Sequence, residues 1–147
     1  MVQPSTSFVA WFMPRSTRTR PVLAAQVRAY ADKAEEYAEA ARSELDARRF
    51  VATTSLAIHA AINAADAVCG ARLGERSVGE DHDQVLTLLR KAGPDGADVE
   101  RDLRRLLPLK TKTEYEPDDI AKGVATKAVD RAQRCVAIAR AVVRGSG

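Results

Sequence analysis

The chain is 147 residues long, 46% hydrophobic and 29% charged, and carries a net charge of +3. That length suits one domain with one core, and two cysteines in an otherwise ordinary composition exclude a disulfide-stapled scaffold, a fibrous repeat and a disordered chain. The mild positive balance permits contact with nucleic acid or an acidic protein but requires neither, because both signs are mixed along the chain.

The amino terminus differs from the rest. Phe8 to Met13 form a short apolar run with no basic segment before it, too short for a signal-peptide core or a membrane span. Residues 1–20 are expected to be a disordered extension with a solvated basic arm, Met13 being an alternative start, and residues 21–147 to form a helical bundle. The absence of a targeting or spanning segment points to the cytoplasm.

From Pro21 the helical period persists. Leu23, Val27, Ala31, Ala34, Ala38, Ala41 and Leu45 recur at threes and fours, while Lys33, Glu35, Glu36, Glu39 and Arg42 take other faces, which predicts a first helix over about 22–47. A second helix over about 49–73 carries a polar stripe, Ser55, His59, Asn63 and Asp66, spaced four, four and three apart within an apolar stretch. Such a seam predicts a largely covered helix whose polar groups need partners, with Asn63 bridging His59 towards Asp66 or the stripe lining a dimer interface. Gly70, Gly74 and Gly79 punctuate its end.

Asp81 is expected to cap a third helix bearing Val85, Leu86, Leu88 and Leu89. Residues 93–96, Gly-Pro-Asp-Gly, read as a turn. A fourth helix holds Val99, Leu103, Leu106 and Leu107 until Pro108 disturbs it. Pro117, Asp118 and Asp119 open the last helix, with Val124, Ala128, Ala132, Cys135, Ala139 and Val142 in its apolar row. No segment alternates long enough for a strand, so the expectation is an all-α, five-helix antiparallel bundle. Cys69 and Cys135 lie on apolar faces without CxxC spacing and read as reduced core thiols, with no metal site and no cofactor implied.

The order of a charged first helix, SLAIHAAINAADAVCG, DHDQVLTLLRKA, LLPLKTKTEYEPDD and AVDRAQRCVAIARAVV resembles the HEPN domain family over most of Val22 to Arg144. In that family an arginine, a small residue and Asp-Tyr often precede the last helix; Lys110, Thr113, Glu114 and Tyr115 stand here in corresponding order, conservative but not identical. The resemblance implies a helical bundle, frequent homodimerisation, and either ribonuclease toxins or partners of nucleotidyltransferase or antitoxin type.

Active members pair an arginine with a histidine four to six residues apart. A guanidinium can stabilise charge on a phosphate while an imidazole exchanges the proton of a ribose hydroxyl, with no metal needed. Arg76 and His82, in RSVGEDH, fit that spacing, although Glu80 and Asp81 oppose a polyanion and the segment lies earlier in the chain than is usual. A structural role for both residues is therefore the first reading. Arg101, Arg104, Arg105, Lys127, Arg131 and Arg134 would make a phosphate-binding face if they converged. Three functions remain: a dimeric HEPN-like binding module engaging a protein, nucleotide or RNA; a metal-independent endoribonuclease using Arg76 and His82; and a purely structural subunit. The binding module is preferred.

Overall fold

The computed structural model describes residues 18–78 and 82–146. A short strand, β1 (Thr19–Pro21), leads into α1 (Ala24–Asp46), α2 (Phe50–Leu73), a second strand β2 (Glu75–Ser77), and then α3 (His82–Arg90), α4 (Gly93–Leu106), α5 (Pro108–Tyr115) and α6 (Lys122–Ser146). The all-α bundle is as expected. The fourth expected helix is carried as α4 and α5, which meet at Leu107 because Pro108 cannot donate to the preceding turn but suits the first turn of a new helix.

Alanine sets the packing. Val27, Ala31, Ala34, Ala38 and Ala41 form the buried face of α1, and α2 is buried on nearly all sides, with Ala57, Ala60, Ala61, Ala64, Ala65 and Ala67 fully inaccessible. Small side chains let helix axes approach closely, so α2 lies between α1 and α6 as the centre of the bundle. Larger side chains complete the same core, with Ile58, Leu89, Leu103, Leu106 and Val129 exposed by 1% or less. The alanine face is thus consumed inside the monomer. Leu23, expected in the apolar row of α1, is instead its exposed N-cap residue, and Val124 at the start of α6 is 38% exposed.

Two expectations fail for physical reasons. The last part of the supposed disordered arm, Thr19 and Arg20, pairs antiparallel with β2, Thr19 opposite Ser77, Arg20 opposite Arg76 and Pro21 opposite Glu75. Three-residue strands are too short to show an alternating pattern. Their ribbon is held by the helix ends, since the Val22 amide donates to the Gly74 carbonyl at 2.9 Å. Close approach also fixes Gly70, where a Cβ would stand 2.8 Å from a Val22 methyl and 2.9 Å from a Val27 methyl. Residues 93–96 are the opening of α4, not a free turn: Pro94 occupies the first turn, and a Cβ on Gly96 would fall 2.2 Å from the Leu89 carbonyl oxygen. The segment 1–17 and the expected Gly79 punctuation and Asp81 cap lie outside the described residues.

Candidate functional site

The polar stripe of α2 does not act as a ladder of side chains. His59 Nδ1 lies 2.8 Å from the Ser55 carbonyl oxygen, and because a carbonyl can only accept, Nδ1 carries the proton and Nε2 is the ring's acceptor in the neutral form. Asn63 donates to the His59 carbonyl at 2.8 Å. The expected Asn63 bridge is therefore replaced by two backbone contacts one turn back, the geometry that short polar side chains adopt within a helix. The His59 ring also rests against Tyr37 of α1, with centroids 5.4 Å apart and a tilt of 34°.

Asp66 ends the stripe. It is only 9% exposed, and burial pushes its carboxyl up to about 7, against the opposing pull of the positive charges of Arg76 and Lys33. The carboxyl therefore exchanges its proton near neutrality. Arg76 reaches this corner from β2. Its guanidinium lies 5.6 Å from the centre of the Tyr30 ring and donates to the Ser77 carbonyl at 3.0 Å. Direct pairing with Arg76 puts Arg20 on the same face of the ribbon, an unfavourable like-charge pair. Diagonally across the ribbon, Thr19 Oγ1 donates to Glu75 at 3.2 Å.

The corner is thus built from Tyr30 and Lys33 on α1, Asp66 on α2 and Arg76 on β2, with Tyr37 and His59 one to two turns along. His82, the other half of the expected pair, is the half-buried first residue of α3, and β2 packs on that helix. Tyr30, Lys33 and Tyr37 were not singled out from the sequence as site residues. Their spacing of three and four marks one stripe of α1, beside the alanine face that packs on α2.

The other candidate cations divide. Arg104 is drawn to Glu100, 3.6 Å away, which also receives two hydrogen bonds from Arg90 at 2.9 and 3.1 Å. Lys127 is exposed on α6. Arg101, Arg105, Arg131 and Arg134 converge with Asp98 and Asp102 on one groove between α4 and α6. Lys110, Thr113, Glu114 and Tyr115 lie on α5, where Thr113 Oγ1 donates to the Lys110 carbonyl at 3.0 Å and Tyr115 is 76% exposed. They join neither cluster. Cys69 and Cys135 are buried free thiols, both pushed up to about 12 chiefly by desolvation, which leaves them unreactive as nucleophiles.

The HEPN domain model matches residues 27–144, and the chain belongs to that family. No curated protein matches it. Among the described residues no helix is long and apolar enough to cross a membrane.

Proposed function

We propose that this chain is a HEPN binding module, dimeric, which engages a nucleotide or RNA together with a protein partner of nucleotidyltransferase or antitoxin type, rather than a nuclease. The observation that carries the reading is the engagement of Arg76. A guanidinium that grips a scissile phosphate offers its fork outward, whereas this one lies over the Tyr30 ring, donates to the carbonyl of its own strand and sits beside the buried Asp66. His59, the other histidine, spends Nδ1 on the Ser55 carbonyl.

Support for a dimer comes from the outward groove between α1 and α6. Ala38, Val136 and Ala137 line it, with Glu35 and Glu39 on α1 and Arg42 and Arg140 on its margins. A two-fold interface requires a self-complementary patch, and this one offers both charges around a small-residue floor. Light scattering at micromolar concentration is expected to return twice the chain mass.

One observation favours the nuclease as a second reading: β2 packs on α3, so Arg76 and His82 belong to neighbouring elements, with Arg20 beside Arg76. The two readings part in an RNA cleavage assay with excess chelator. The binding module leaves single-stranded RNA intact, and His82→Ala changes only thermal stability, by about 0.5–2 kcal/mol for a residue at a helix start. Cleavage that disappears in both Arg76→Ala and His82→Ala, with melting temperatures unchanged, would establish the nuclease instead.

A further inference from the structure

We propose that the groove between α4 and α6, lined by Arg101, Arg105, Arg131 and Arg134, is a phosphate-binding site of this protein, separate from the Arg76 corner. The groove is open, with a volume of about 390 Å³. Four guanidiniums line it against two carboxylates, Asp98 and Asp102, so two positive charges lack a counterpart among the groove residues. Sequence spacing alone could not distinguish this from a solvated face. Packing of α4 on α6 makes the difference, because it brings positions 101 and 105 of one helix opposite positions 131 and 134 of the other.

The hydrogen-bonding pattern shows which arginines are available. Asp102 is claimed by Arg134, which donates to its two oxygens at 2.8 and 3.1 Å, a bidentate contact that raises the Arg134 pKa above its already high value. Arg101 leans on Asp98 at 3.2 Å, an exposed pair that a stronger anion can displace. Arg131 is left short: its Nε is buried without a hydrogen-bond partner, 3.9 Å from Asp102. Arg105 is exposed and has no ion-pair partner among the described residues. An oxyanion seated between Arg105 and Arg131 would meet the spare donors on both helices.

The chemistry selects a phosphate ester. Guanidiniums match phosphate oxygens in a planar fork, and Ile138 gives the groove an apolar end that can cover a sugar or base. The nucleotide or RNA source of that phosphate rests on the binding-module reading, and the experiment separates the two questions. Inorganic phosphate, adenosine monophosphate and a twelve-nucleotide single-stranded RNA are titrated into the wild-type chain and into Arg105→Glu, Arg131→Gln and Arg76→Ala, each checked for fold by circular dichroism. Arg105→Glu reverses a charge at an exposed position and so keeps the test independent of folding.

The expected result is RNA binding weakened at least tenfold by Arg105→Glu and by Arg131→Gln, with a shallower salt dependence, and unchanged by Arg76→Ala. Tighter binding of the mononucleotide than of RNA on a per-site basis would identify the source as a free nucleotide and support the same groove. RNA binding that persists in Arg105→Glu and is lost in Arg76→Ala would overturn the groove while leaving a binding module. No binding of any probe to the wild-type chain would overturn both.

Discussion

Two clusters of charge in this molecule use carboxylates in opposite ways. At the corner of α1, α2 and β2, Asp66 is walled in by the bundle, and burial outweighs the attraction of Arg76 and Lys33, so the carboxyl holds its proton to about pH 7. In the groove between α4 and α6, Asp102 keeps its charge matched by a two-oxygen contact from Arg134, and the remaining arginines outnumber the carboxylates. Asp102 is nearly as covered as Asp66, with 13% of its side chain exposed against 9% for the Asp66 residue, so burial alone does not separate the two clusters. The two-oxygen contact from Arg134 does.

Replacing Asp66 sharpens the contrast most. A carboxyl near 3.8 in the unfolded chain and about 7 in the folded one takes up a proton on folding between those values, so the unfolded state binds fewer protons there. Stability is then lost as pH rises from about 4 to about 7 and is flat above, a total of about 4 kcal/mol. Asp66→Asn is expected to remove that slope and to be more stable than wild type at pH 8, measured by urea denaturation at pH 5 and pH 8. An equal slope in the variant would assign the pH dependence to another group.

Gly96→Ala strikes the other region. Its Cβ would meet the Leu89 backbone, which cannot yield as a side-chain tip can, so a loss of about 1–3 kcal/mol is expected. Because α4 must shift, Arg101 and Arg105 move relative to α6, and RNA affinity is expected to fall while the Asp66 titration stays put. Chemical denaturation and an RNA titration on the same variant check both halves.

The remaining effects are small. Tyr30→Leu removes the ring beneath Arg76 and is expected to cost about 0.5–1 kcal/mol in denaturation at fixed pH. Arg134→Ala breaks a well-formed contact whose arginine side chain is 57% exposed and whose Asp102 side chain is 13% exposed. Less than about 1 kcal/mol is expected, seen as a shift in melting temperature.

Helices were legible in the sequence because their faces repeat over many residues: Val27 and the alanines of α1 at 31, 34, 38 and 41 all bury as their spacing requires. The polar stripe of α2 was legible as a stripe, but not its partners. Spacing along one helix cannot show that Asp66 lies within the field of an arginine on a strand ten residues further on, nor that Arg20 pairs with Arg76 across a three-residue ribbon. The basic groove was half legible. Positions 101, 105, 131 and 134 were named as cations, yet only the packing of α4 on α6 separated them from Arg104, which Glu100 takes. Arg76 and His82 were found through a spacing that suits catalysis. What spacing could not convey was that Tyr30 and the Ser77 carbonyl already occupy Arg76.

The proposed binding module holds RNA without cutting it. End-labelled single-stranded RNA incubated with the protein at pH 7 in excess chelator, then resolved on native and denaturing gels from the same tube, reads both fates together. A retarded complex on the first gel and full-length RNA on the second are expected. Shortened products that vanish with Arg76→Ala and His82→Ala would contradict the binding-module reading.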